Sequence, residues 1–430
     1  MHKTSNKNIS PVVFVLLDAF RWDYLNQHNT PTLWTLSQSG LYVQKLKPSF
    51  GFCEITEYAT GARPNVSGKL TQLTVGHQRH ATMRFASTWL ESLEKQIKTY
   101  HGRGSTRLYQ AFVQYLVKPI LQDGRVWNLR YNIPLHVLPF LKAVEADTYQ
   151  RSGAFGIPSF FETMHRSHLR IHDQNFVNFS KVSGSDENRV QQLENLPSLE
   201  HDLYMIYLGE CDGTGHLCGP ISTEMDQATA RIDRYVHRLR EAFCTHNAQT
   251  RFLIVGDHGM LPVSKSLDAP HLIEQTARQN GLIPCRDYLA FYDSTMVRLW
   301  FYTHRAKQQL TPLFNQPPFT KLGTCLTEEN AHDMHVPAPG NDYGHLIWYS
   351  NPETVVFPDY FNRDLPKGMH GYPTHIDEQK GMAILSGSGV LPAQKAEAEL
   401  IDLCPTICDL FGISYPENNH GTSLLTAKTP

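Results

Sequence analysis

Three short apolar runs each hand the chain straight to a candidate metal ligand. Val12 to Leu17 ends in Asp18, Leu203 to Leu208 leads into Gly209-Glu-Cys-Asp-Gly-Thr-Gly-His216, and Arg251 to Val255 leads into Gly256-Asp-His-Gly259. Unbroken β-branched and aliphatic runs of this length are what strands buried on both faces look like, and such strands belong to parallel sheets covered by helices. Open sheets of that kind place their ligands just beyond the carboxyl ends of the strands. The pattern therefore predicts an α/β fold in which Asp18, Asp212, His216, Asp257 and His258 gather along one sheet rim.

The rest of the chain fits this frame. Thr30-Pro31 opens a short helix with proline at its first position, residues 40–47 read as a second strand, and residues 53–60 read as a helix closed by Gly61. Ile232, Tyr235, Val236 and Leu239 recur at helical spacing after the second ligand-bearing run, which makes a βα unit. Residues 295–302 and 381–385 are read as further strands, and 400–411 as a terminal helix. Between about 70 and 200 the pattern changes to helical stretches, 88–97 and 106–121 among them, with polar loops and no clear buried strand. The expected organisation is one domain over 1–430, a mainly parallel sheet sandwiched between helices, carrying a largely helical insertion or cap at about 70–200.

Composition narrows the function mostly by exclusion. A net charge of -2 over 430 residues offers no overall field for a nucleic-acid polymer or an anionic membrane, so an anionic substrate must be attracted locally. The first apolar run is one strand long, too short for a signal peptide, and nowhere do about 18 apolar residues run unbroken as a membrane-spanning helix requires. The eight cysteines show no CxxC pair or zinc-finger spacing and are expected to be reduced and buried. The expected location is therefore the cytoplasm, and the oligomeric state is left open.

Each candidate ligand has an ordinary reading when taken alone. Asp18 reads as a helix cap, His370 between Met369 and Gly371 reads as a loop residue, and any one of 22 histidines is more often inert than catalytic. Asp212 and His216, four apart in a glycine-rich loop, can converge on one cation if the turn is tight. Asp257 and His258 set two ligand types side by side.

The joint order changes the reading. Asp18-Ala-Phe-Arg-Trp-Asp-Tyr-Leu25, Thr60-Gly-Ala-Arg-Pro64, Glu210-Cys-Asp-Gly-Thr-Gly-His-Leu-Cys-Gly-Pro220, Asp257-His-Gly-Met260 and His370-Gly-Tyr372 follow one another along the chain. The series resembles the nucleotide pyrophosphatase/phosphodiesterase branch of the alkaline phosphatase superfamily. The tail from Leu403 to Ile413, with Gly421-Thr-Ser-Leu, is similar to the closing helix of that superfamily. The resemblance covers both ends of the chain but not 70–200. It implies two divalent cations, one held by Asp212, His216 and His370 and the other by Asp18, Asp257 and His258. Zinc is the default for mixed imidazole and carboxylate sets, with manganese as the alternative.

Against this family the sequence departs at the nucleophile. Counting back from Thr60-Gly61, the family's nucleophilic threonine falls on Gly51 and its phosphate-binding asparagine on Glu54. Glycine cannot attack phosphorus. Cys53 at a helix N-terminus can take over as a thiolate. Alternatively Ser49 or hydroxide attacks, with Glu54 as an extra ligand or base. In a third reading the site binds metal and ligand without turnover, and Cys53 is an inert core residue. The sulfatase branch is excluded because Cys53-Glu-Ile-Thr-Glu lacks the C-x-P-x-R or C-x-A-x-R maturation motif.

The expected function is hydrolysis of a small-molecule phosphodiester or pyrophosphate: a nucleotide, a nucleotide-sugar or a glycolipid-type ester. A catalytically silent binding protein and a phosphotransferase on the same site are the competing readings. Residues 124–131 and 160–170, rich in arginine and aromatics, are candidates to grip phosphate and stack a base, although aromatic stripes more often pack a core.

Overall fold

The structure is a computed structural model and describes residues 10–76, 89–92, 115–129, 132–145, 148–176, 184–340 and 342–425. The expected helices at 88–97 and 106–121 lie largely outside the described residues. Strands in chain order are β1 (Val12–Leu17), β2 (Leu41–Lys47), β3 (Leu73–Val75), β4 (Leu141–Ala143), β5 (Ile171–Asn175), β6 (Leu203–Leu208) and β7 (Arg251–Gly256). They continue as β8 (Leu261–Pro262), β9 (Lys265–Leu267), β10 (Tyr288–Asp293), β11 (Met296–Phe301), β12 (Gly323–Cys325) and β13 (Leu346–Ser350). The last are β14 (Thr354–Val356), β15 (Gly368–Met369), β16 (Gly381–Gly387) and β17 (Ala393–Glu399).

The seven-stranded central sheet runs β17-β2-β16-β7-β1-β6-β5. β1 pairs in parallel with both β6 and β7, so Leu17 stands beside Leu208 and Gly256 and the three ligand-bearing strands end at the same level. Only β16 runs antiparallel to its neighbours, β2 and β7. β1 is buried along its whole length, as its unbroken apolar sequence requires. Alternate residues of β1 feed two cores. Val12, Phe14 and Leu16 pack with the Leu403–Phe411 helix and with Phe160 and Phe161, while Val13, Val15 and Leu17 pack with Ile232, Val236 and Leu239 of the Thr223–His246 helix.

The Pro31–Ser39 helix begins where Thr30-Pro31 indicated, but the Thr30 hydroxyl does not cap it. The Asp233 carboxylate on the Thr223–His246 helix accepts from the amides of Thr32 and Leu33 instead, at 3.1 and 2.8 Å, tying two helices together. Residues 295–302 do form a strand, β11, but in a separate four-stranded antiparallel sheet, β10-β11-β13-β12.

Within 70–200, β3 and β4 pair with each other, and Val126, Trp127 and Leu138 share a core with Leu289, Phe291 and Trp300 near the second sheet. The later part of the stretch joins the main layers. β5 is the edge strand beside β6, and the helices Phe160–Arg166 and Asp186–Glu194 cover the two faces of the sheet. The sequence Ile171-His-Asp-Gln-Asn175 contains no apolar run, because an edge strand half open to water has no need of one.

Candidate metal centre

The residues that follow β1, β6 and β7 meet at the carboxyl end of the sheet. Oxygen or nitrogen atoms of Asp18, Asp257 and His258 lie within 4.8 Å of one another, and so do those of Asp212, His216 and His370. Both groupings are the ones the sequence motifs implied. A third set of the same closeness, Glu54 with His258 and His370, links the two. The rings of His258 and His370 stack at 4.0 Å between centroids.

Local structure explains how each side chain arrives. The glycine-rich segment after β6 is not a loop, as its sequence suggested, but the helix Glu210–Cys218, in which the four-residue spacing sets Asp212 and His216 on one face. A Cβ at Gly215 would stand 2.3 Å from the Met260 sulfur, so glycine lets this helix pack closely against the turn after β7. That turn is held by Arg21, which donates to the Met260 carbonyl at 3.1 Å while its other nitrogens grip Asp23. The motif residues Arg21 and Asp23 therefore act as a clamp on the backbone around Asp257 and His258.

Hydrogen bonding orients the imidazoles. His216 Nδ1 lies 2.9 Å from the Gly368 carbonyl and His258 Nδ1 lies 2.9 Å from the Gly259 carbonyl. A carbonyl only accepts, so each Nδ1 carries the hydrogen and each Nε2 is left to face the site. His216 Nε2 lies 3.1 Å from Asp212 Oδ1, and His258 Nε2 lies 3.2 Å from Asp18 Oδ1. The buried atoms Asp212 Oδ1 and His370 Nδ1 have no hydrogen-bond partner. Lone pairs aimed at one another across about 3 Å are repulsive unless a proton or a cation lies between them, so these residues fit divalent cations.

The titration behaviour follows from the same crowding. Burial pushes the Asp257 carboxyl up to about 8 despite His258, and pushes Glu54 up to about 7. Burial also disfavours the charged form of His258, but Asp257 and Asp18 override it and hold that imidazole well above its ordinary value. His216 is raised against its own burial by Asp212, and Asp212 is lowered against its burial by His216. His370, buried and facing His258, is held well below the usual histidine range. A cation bound here would compete with protons for these groups, since ligands bind metal in their deprotonated forms.

The nucleophile candidates separate. Glu54, the first residue of the Glu54–Thr60 helix, reaches the ligand cluster. Cys53 is buried, and burial together with Glu145 and Glu54 raises its thiol well above the ordinary value, the opposite of an activated thiolate. Its sulfur belongs to none of the convergent sets. Ser49 donates its amide to Glu57 at 2.9 Å and lines a separate cavity of about 240 Å³ with Lys47, Arg63, Glu57 and His335. Gly51 adopts φ +122°, and a Cβ there would stand 2.2 Å from the Leu70 carbonyl oxygen.

Two neighbours of the ligands escaped the sequence reading. The Tyr207 hydroxyl donates to Asp18 Oδ2 and so fixes the carboxylate whose other oxygen faces His258. Its signal was a phenol one residue from the carboxyl end of an apolar strand. Phe52 packs edge-on against His370 at 5.5 Å, and a Cβ on Gly371 would strike its ring at 2.3 Å. Conversely, Trp127, Phe160 and Phe161 from the stretches considered for substrate are core residues.

The sequence model of the type I phosphodiesterase/nucleotide pyrophosphatase family matches residues 126–372, more than half of the chain. The protein belongs to this family. Its fold and motifs place it in the nucleotide pyrophosphatase-like branch of the alkaline phosphatase superfamily. Among its relatives, human ectonucleotide pyrophosphatase/phosphodiesterase family member 7 is 41% identical over 266 residues, 59% of this chain and 48% of that protein. The mouse protein of that name is 26% identical over 268 residues, 61% of this chain and 52% of that one. Mouse family member 3 is 21% identical over 443 residues, 98% of this chain and 44% of that protein. The chain thus spans about half the length of the curated relatives it matches. Murine ectonucleotide pyrophosphatase/phosphodiesterase 5, solved as an inactive variant in complex with AMP, superposes with a TM-score of 0.65 at 15% identity, covering 95% of this chain and 97% of that one. The human counterpart gives 0.61 at 16% identity, covering 96% and 97%. These likenesses show the fold.

Proposed function

We propose that this family member is a hydrolase of phosphodiester or pyrophosphate bonds in a small molecule, of nucleotide, nucleotide-sugar or glycolipid type, working with two divalent cations. The observation that carries the reading is the convergence of Asp18, Asp257 and His258 beside Asp212, His216 and His370 with lone pairs turned inward. Their nitrogen and carboxylate chemistry suits zinc first and manganese second. When bound, such cations polarise phosphoryl oxygens and neutralise a leaving oxygen.

The chain's own contribution centres on Glu54. With Gly51 unable to attack, Cys53 held as a buried thiol and Ser49 in another cavity, water is the attacking group. Its oxygen forms the new bond to phosphorus and its proton passes to a Glu54 carboxylate oxygen, while the ester oxygen opposite departs and is protonated in turn. The Glu54 carboxylate lies within 4.8 Å of ring nitrogens of the stacked His258 and His370, and Tyr207 orients Asp18. Phe52 covers His370 and keeps solvent off its ring.

Turnover of a chromogenic phosphodiester, with metal content measured on the same samples, tests this. Glu54→Gln should abolish turnover with metal retained, and Cys53→Ala and Ser49→Ala should keep it. Loss of turnover in Cys53→Ala with metal and fold intact would instead make the thiol the nucleophile. The conformation at Gly51 favours one rival, a silent homologue that binds metal and ligand; metal uptake without turnover of any ester would establish it. Transfer to an acceptor other than water would mark a phosphotransferase.

Among the described residues no helix is long and apolar enough to cross a membrane. None of the eight cysteines is paired in a disulfide, the state expected in a reducing compartment such as the cytoplasm. The names of the relatives carry the prefix ecto-, and cell fractionation distinguishes the two.

A further inference from the structure

Large aliphatic side chains on a protein surface are ordinary when scattered and informative when gathered. Leu217 and Ile221 are 74% and 76% exposed, and Leu365 is 49% exposed. Leu217 directly follows His216, and Ile221 follows the Gly219-Pro220 turn that ends the same helix. The segment carrying Leu365 is fastened to this helix end, because the Lys367 amide donates to the His216 carbonyl at 2.8 Å. Gly368 fits so closely that a Cβ would stand 2.6 Å from the Gly215 carbonyl oxygen and 2.9 Å from Pro220. Two segments thus form one rim, on the side where Asp212 and His216 keep 26% and 22% of their side chains accessible.

Charge on the Leu365 segment is specific as well. Arg363 and Lys367 are exposed on either side of Leu365, with Asp364 between them, so two cations stand against one carboxylate. An exposed leucine set between two cations, on a segment fastened beside two further exposed aliphatic side chains, matches a boundary at which acyl chains and phosphate groups lie in adjacent layers.

We propose that this rim seats the protein on a phospholipid surface, with Leu217, Ile221 and Leu365 at the acyl boundary and Arg363 and Lys367 against headgroup phosphates. The site beside Asp212 and His216 then faces the interface. If the hydrolase reading on which this consequence rests is right, phosphodiesters presented in that surface reach the centre without leaving it.

Sedimentation with sucrose-loaded vesicles of phosphatidylcholine and phosphatidylserine tests the docking, and turnover of a soluble chromogenic phosphodiester is measured in parallel. Wild type should sediment with the vesicles. L217S/I221S/L365S should partition about a hundredfold less, the factor expected when three aliphatic side chains lose partial burial, with Ile221→Ser alone intermediate. Both variants should turn over the soluble ester like wild type, which shows that they are folded. Wild type that stays in solution, or a triple variant that sediments equally well, overturns the proposal. Binding lost in high salt but untouched by the triple substitution also overturns it, since charge alone would then suffice. A soluble ester left intact by wild type would defeat the hydrolase reading while the vesicle comparison still decides the docking.

Discussion

Restoring the family's hydroxyl at position 51 should fail, and the size of the failure can be worked out. Gly51 sits at φ +122°, where any L side chain is strained, at a cost of about 1–3 kcal/mol. The new Cβ would stand 2.2 Å from the Leu70 carbonyl oxygen and must push it away. That oxygen accepts from the Phe52 amide at 2.9 Å, so moving it forfeits a hydrogen bond worth about 1–3 kcal/mol when its partner is left buried. Gly51→Thr should therefore lose about 2–6 kcal/mol of stability, and Gly51→Ala about as much, since the penalty lies in the Cβ. Urea denaturation reads the loss as a lower midpoint at unchanged slope. Displacement of Phe52 from His370 should also lower turnover of the chromogenic diester. A threonine variant as stable as wild type, or one that turns over faster, would refute the claim that the loop itself excludes the family nucleophile.

Other expectations follow from single contacts. Burial pushes the Glu57 carboxyl from 4.5 up to about 8, so between those values the folded chain holds a proton that the unfolded chain has released. Its contribution is fully present below about pH 4.5 and is lost as pH rises through about 8, at up to about 1.4 kcal/mol per unit. Glu57→Gln should flatten this decline in stability measured against pH; an identical profile would show that Glu57 ionises normally. Tyr207→Phe leaves Asp18 Oδ2 without its donor and should weaken metal binding about 10–100-fold in chelator competition, and unchanged affinity would remove Tyr207 from the site. Chelation should abolish turnover and lower the melting temperature, with both restored by zinc; a melting temperature indifferent to chelator would argue against bound cations.

Most of the sheet and its candidate ligands were legible because burial writes itself into sequence. β1 is apolar along its whole length and β6 and β7 are mostly so, and each leads into a segment that reaches the site. Where burial is one-sided or glycine intervenes, the signal fades. β5 at the sheet edge carries polar residues. The helix Glu210–Cys218 holds Gly213 and Gly215, which on propensity alone favour a loop, and tertiary packing against Met260 overrides that preference.

The candidate site divides along the same line. Residue type and order are one-dimensional facts, and with the family resemblance they name Asp18, Asp212, His216, Asp257, His258 and His370 as candidate ligands. Which side chain near residue 51 faces the ligands is not such a fact. Ser49, Cys53 and Glu54 lie within six residues of one another and were equally available on paper. The left-handed turn at Gly51 and the start of the Glu54–Thr60 helix send Glu54 to His258 and His370, Cys53 toward Glu145, and Ser49 to another cavity. Sequence determined the strands and the donor atoms, because hydrophobic burial and metal preference depend on residue type. Tertiary structure decided the direction in which each side chain points, because that depends on backbone dihedrals set by contacts of Gly51 with Leu70 and of Phe52 with Gly371, which the sequence leaves apart.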